Sequence, residues 1–155
     1  MKKILTLAMV AFMAIAVPTV FTACDDDNDD IETVVPPDQI PDIAKSFLAK
    51  YYPTAKIQKV VTEQTPQGYE YDVILDNKHE ITFDTYGYWI EIEAPGFETI
   101  PAGILPAVTE EYLSTNYPYV GVHSVELING QYKVELLDGK DLIFDKDGNF
   151  VAITD

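Results

Sequence analysis

The sequence predicts an α+β fold: two tandem helix-plus-antiparallel-meander repeats, with the helices packed on one face of the sheet. Internal correspondence is the first ground for this. IPDIAKSFLAKYYP (40–53) aligns with LPAVTEEYLSTNYP (105–118), matching Pro41 with Pro106, Phe47 with Tyr112, Leu48 with Leu113 and Tyr52-Pro53 with Tyr117-Pro118. YDVILDNKHEITFDTYGYWIEI (71–92) aligns with YKVELLDGKDLIFDKDGNFVAI (132–153), matching Phe83-Asp84 with Phe144-Asp145, Gly87 with Gly148 and Trp89 with Phe150. The second ground is periodicity, which changes from helical to alternating inside each copy. The expected repeats are 40–93 and 105–155.

Each copy opens with a helix. Ile43, Phe47, Leu48 and Tyr51 fall on one helical face, and Val108, Tyr112, Leu113 and Tyr117 repeat the stripe. Pro41 and Pro106 suit a first turn, where no amide proton is needed. Pro53 and Pro118 stop the helices, because a residue before proline avoids the helical region. Strands follow. Tyr69, Tyr71, Val73 and Leu75 alternate with Glu70 and Asp72, the half-buried pattern, and Tyr132, Val134 and Leu136 do the same. DNK (76–78), LDGK (137–140) and DKDG (145–148) read as tight turns. Each copy therefore reads as a helix and about four strands, and two copies are needed to bury one shared core.

The N-terminus has the three-part layout of an export signal, predicted over residues 1–23. Lys2 and Lys3 precede an uncharged run from Ile4 to Phe21, and Thr22 and Ala23 lead to Cys24, the only cysteine. Pro18 interrupts the run, and no positive cluster follows to stop transfer. A small residue before cysteine resembles the lipobox of bacterial lipoproteins, although Phe21 stands where that motif has leucine. The resemblance implies that Cys24 is the lipid attachment point and that the membrane is a partner through it. It also explains a lone thiol in an exported chain. Several acyl chains hold a protein stably, since each buried methylene contributes about 0.8 kcal/mol. Asp25, Asp26, Asp27, Asp29 and Asp30 repel one another, so 24–39 is expected to be an acidic, proline-containing tether. An acidic run after the cysteine also resembles the surface-export signal of some Gram-negative lineages. Periplasm-facing and cell-surface placement in the outer membrane both stay open.

An exported lipoprotein with tandem helix-plus-meander units and FDxxG hairpins resembles the PepSY-like family, described also as β-lactamase-inhibitor-like. The resemblance spans 40–155. It implies a non-catalytic protein-binding module, an inhibitor of an envelope or secreted enzyme being one form, rather than an enzyme.

The charge balance narrows the classes. Against 26 acids stand 10 bases, all lysine, for a net charge of −16. Nucleic-acid binding needs a positive face, and arginine clamps are excluded outright. No catalytic residue and no cofactor is expected. The two histidines, His79 and His123, have no GxSxG, HExxH or CxxC context. DKDGN (145–149) has the first spacing of a calcium loop but lacks its twelfth-position glutamate, so it reads as a turn and no metal site is expected. Adjacent acids such as Glu110-Glu111 carry no weight in so acidic a chain.

Aromatic residues supply the candidate partner surface. If Ile90 and Ile92 face the helices, alternation turns Trp89, and Phe150 in the second copy, to the bare face beside Tyr86 and Tyr88. Exposed aromatics rimmed by acids fit a recognition patch for a protein partner. The alternative reading is a structural or carbohydrate-contacting surface protein, since such rings also stack on sugars.

Overall fold

The computed structural model describes residues 32–154. The expected signal peptide, Cys24 and the aspartate run lie outside the described residues.

Two ten-residue helices, α1 (Asp42–Tyr51) and α2 (Ala107–Asn116), begin behind Pro41 and Pro106. Both end at a tyrosine whose amide donates back into the helix: Tyr52 N to Leu48 O and Tyr117 N to Leu113 O, each 2.8 Å. Pro53 and Pro118 follow and allow no further turn. Nine strands make up the rest: β1 (Thr33–Val34), β2 (Ile57–Thr65), β3 (Gly68–Leu75), β4 (Glu80–Phe83), β5 (Trp89–Glu93), β6 (Val122–Ile128), β7 (Gln131–Leu136), β8 (Asp141–Phe144) and β9 (Phe150–Thr154).

The expectation of two helix-plus-meander repeats is corrected here. The described residues form one nine-stranded antiparallel sheet in sequential order, β1 to β9, mostly strand and with only two α-helices among them. Hydrogen bonding runs through the point where a boundary between units was expected. There β5 pairs with β6, Glu91 opposite Glu126, Ile92 opposite Val125 and Glu93 opposite Ser124. The connector 94–104 makes this possible by lying against β6, with Ala94 N on His123 O and Ile100 N on Val122 O, both 3.0 Å. The ninth strand comes from the segment expected to be tether: Thr33 pairs with Thr62 and Val34 with Val61, before a 3-10 turn at Pro37–Gln39.

The core lies between the helices and one sheet face. Residues paired across strands share a face, so the register reads it directly. Val60, Val73, Ile81, Ile92, Val125, Val134 and Leu142 form one unbroken row, all 0% exposed. Phe47 meets Phe83 edge-on at 5.7 Å, and Tyr112 meets Phe144 at 5.5 Å. The helical stripe is rotated from expectation. Ala44 and Thr109 are 0% exposed, whereas Ile43 and Val108 face outward. The cause is the turn beneath each helix. Gly87 packs against Pro41 and Ala44, and Gly148 against Pro106 and Thr109. So close an approach admits only a small residue on the buried side of the helix.

Candidate functional site

Both helices cover the face just described. The opposite face of the sheet presents the alternate residues of every strand. One row across it runs Asp72, Thr82, Glu91, Glu126 and Lys133, and the next runs Glu80, Glu93, Ser124, Glu135 and Asp141. Glu63 and Glu70 pair farther along β2 and β3. Lys59 and Lys133 are the cations that the register places there, and Lys133 is taken up by Asp141 at 2.6 Å. Near the middle of the sheet, Glu91, Glu93, Ser124, Glu126, Lys133 and Glu135 line a shallow polar cavity of about 150 Å³.

Crowding perturbs these acids. Burial raises the Glu91 carboxyl above its ordinary value, and Glu126 and Glu93 add to the rise. Burial likewise raises Glu80, with Glu93 and Asp72 adding to it, and Glu70, with Glu63 and Asp72 adding to it. Asp72 is raised by burial against the opposing hydrogen bond that Thr82 donates at 2.7 Å. A carboxyl whose folded pKa exceeds its unfolded one binds more protons when folded. Its ionised form therefore costs stability above the folded pKa, and that cost disappears as pH falls toward the unfolded value of about 4. Asp138 and Asp145 are lowered instead, by hydrogen bonds from Lys140 and Asn149, and act only below that range. The melting temperature is accordingly expected to rise between pH 7 and pH 5. Glu91→Gln is expected to raise it at pH 7 and flatten the slope. A melting temperature that falls steadily over the same interval contradicts the crowding.

The four aromatic residues singled out from the sequence do not come together on this face. Tyr86 and Tyr88 are exposed, 70% and 59%, in the turn joining β4 to β5. Both of their amides donate to Asp84 Oδ1 at 2.9 Å. Trp89 and Phe150 point to the helix side, which corrects the orientation expected from alternation. Thr82 pairs with Glu91 but Phe83 with Trp89, so Ile90 is an extra residue; Val151 is its counterpart in β9. One extra residue inverts the alternation beyond it. Trp89 then rests 6.2 Å from the Tyr132 ring, and Phe150 stacks on Tyr112 at 4.6 Å and 7°. Trp89→Ala is expected to lower unfolding free energy by about 2–3 kcal/mol in urea titration, short of the ~3–5 of a fully buried ring. A loss below about 1 kcal/mol contradicts the packing.

Sequence reasoning passed over Phe97 and Tyr119, 92% and 97% exposed on loops at the end of the sheet where β5 leaves and β6 enters. Pro95-Gly96 and Pro118 beside them are turn signals that place an aromatic outside the core.

His79 is buried in the β3–β4 hairpin with Nε2 3.3 Å from Thr99 O, tying that hairpin to the connector. His123 lies 3.9 Å from Glu93. In the DKDGN turn, Asp145 Oδ1 accepts from the amides of Asp147 and Asn149 at 2.9 Å. The turn itself thus uses the carboxylate. Among the described residues, no three His, Cys, Asp or Glu side chains converge to hold a metal ion. None of the helices described is long and apolar enough to cross a membrane.

Comparison with known proteins is informative at the level of family and fold. The family model described as "Putative beta-lactamase-inhibitor-like, PepSY-like" matches residues 29–72 and 69–152. A solved structure from Bacteroides thetaiotaomicron, described as "a putative calcium-regulated periplasmic protein", is 27% identical with TM-score 0.74, covering 80% of this chain and 97% of that one. A "putative periplasmic protein" of the DUF2874 family from Bacteroides vulgatus is 26% identical with TM-score 0.74, covering 84% of this chain and all of that one. A further Bacteroides vulgatus protein of unknown function, 24% identical with TM-score 0.74 over 80% of this chain and 99% of that one, shares the fold. No curated protein matches the sequence.

Proposed function

The chain belongs to the PepSY-like family, described as β-lactamase-inhibitor-like, and from that premise we propose that it is an exported, non-catalytic binding module. It receives a positively charged protein surface on the bare face of its sheet. The observation that carries this reading is the pair of carboxylate rows around the Glu91–Glu126 cavity, opposite the helices. A field of one sign steers a partner of the other and speeds encounter. Inhibition of an envelope or secreted enzyme is the form such binding takes in this proposal. Export is supported by the N-terminal signal pattern and by the periplasmic descriptions of the two relatives above 25% identity. A lipid on Cys24 would hold the module at the membrane.

The test is capture from a native envelope and secreted extract. The immobilised chain must begin upstream of Thr33 so that β1 is kept. A specific protein should bind the parent, elute as salt rises, and be lost from the Glu91→Lys/Glu126→Lys variant. Equal retention by the charge-reversed variant would sink the proposal. Tyr86 and Tyr88, both exposed in one turn, favour the carbohydrate-contacting alternative. That alternative predicts glycan binding lost on Tyr86→Ala/Tyr88→Ala and indifferent to salt.

A further inference from the structure

The two edges of the sheet are unlike. β1 is two residues long and runs into Pro36 and Pro37, the short, proline-guarded ending that discourages pairing. β9 has five residues and, among the described residues, is bonded on one side only, to β8. Its sequence, FVAIT, holds no charge and no proline. Every strand from β2 to β8 carries at least one charged residue. β1 is uncharged too but is short and proline-guarded; the long edge, where a guarding charge is most useful, has neither guard.

The apolar row of the core points the same way. Its members from Val60 to Leu142 are 0% exposed, and its last member, Ile153, is 48% exposed. The row stops at an open edge rather than at a polar residue.

We propose that β9 is a pairing edge for a second copy of this chain, the two sheets joining antiparallel about a two-fold axis at Ile153. The bulge selects this register. Pairing about Ala152 sets Ile153, on the helix side, against Val151, the extra residue. Pairing about Ile153 instead sets Ala152 against Thr154 of the other copy, both on the bare face. It also continues the buried row from one molecule into the next. The occupant is a second copy because the seam suits one. Two chains of net charge −16 repel almost anywhere else on the sheet, but the five described residues of β9 carry no carboxylate. Among the described residues, the nearest acids on the bare face, the two copies of Asp141, lie one strand back on each side. Three strand spacings of about 4.8 Å and a two-residue offset along the strands put them about 16 Å apart, beyond the ~8–10 Å screening length at physiological salt.

Sedimentation of the exported chain carrying Cys24→Ser should show a monomer–dimer equilibrium in the weak, roughly micromolar range of small interfaces. Added salt should strengthen it, the reverse of capture by the acidic face. Ile153→Lys should weaken it at least tenfold while the monomer stays folded, as a cooperative urea transition reports. Cys24 is the only cysteine, so geometry can be tested separately. In the same background, Ile153→Cys should oxidise to a disulfide-linked dimer and Val151→Cys should not, because only residue 153 faces its own copy within bridging distance. A parent that stays monomeric up to millimolar concentration overturns the proposal. So does a dimer indifferent to Ile153→Lys, and so does any cross-linking pattern in which Val151→Cys forms the bridge or neither variant does.

Discussion

Phe144→Ala is expected to be the most damaging single truncation, costing about 3–5 kcal/mol of unfolding free energy. Phe144 is fully buried. Its ring meets Tyr112 of α2 edge-on and Phe150 of β9 at 5.9 Å. Removing it leaves a cavity between helix and sheet that the stacked Tyr112–Phe150 pair cannot close without breaking its own contact. Such aromatic pairs add about 0.5–1.5 kcal/mol beyond area burial. Against a typical total of about 5–15 kcal/mol, the variant is marginal at room temperature. Urea titration measures the loss. Phe150→Ala, at a half-exposed edge position, should cost clearly less. Similar losses from the two would mean that the ring of Phe144 is not what holds α2 to the sheet.

The second large effect belongs to a residue with no side chain. Gly87→Ala is expected to cost about 3 kcal/mol or more, the sum of a left-handed backbone strain of about 1–2 and overpacking of about 1–3. Gly87 has φ +90°, and an added Cβ would lie 2.7 Å from Pro41 Cβ and 2.9 Å from the Ala44 amide nitrogen. The start of α1 would have to lift from the turn. Gly130→Ala is the control: its φ is +76°, and nothing lies within 4 Å of the new methyl. It carries the backbone strain alone. The difference between the two variants in urea titration isolates the contact between helix and turn. If both cost the same, α1 does not rest on that turn.

These two positions also show how far the sequence is readable. FDxxG announces a turn, and the proline pairs announce where the helices begin and end, because each rests on local backbone chemistry. The half-buried alternation of β3 and β7 is legible for the same reason. The continuity of the sheet is not. Joining β5 to β6 depends on how the connector lies against Val122 and His123, and no periodicity records that path. The bulges at Ile90 and Val151 were equally silent, since WIEI and FVAI alternate as well with Trp89 and Phe150 outward as inward. That silence reversed the expected direction of both rings. The helical stripe lies one residue from the expected one, because hydrophobicity ranks Ile43 above Ala44 as a core residue while the glycine turn leaves room only for a small side chain. Of the bare face, the acids were visible in the alternation. Their alignment into rows needed the register of seven strands.

Sequential strand order has a consequence for how the chain is assembled. A strand in such a meander pairs with the one made just before it, so most closures are short and contact order is low for a sheet protein. A chain emerging N-terminus first from an export channel can add strands in turn, without holding one open for a distant partner. The exceptions are the pairing of β1 with β2, which must wait for α1, and the later step from β5 to β6, which must wait for the connector and α2. That step is where folding is expected to pause, and where a half-finished sheet would show its β5 edge, with the charges of Glu91 and Glu93 keeping stray partners off until β6 arrives.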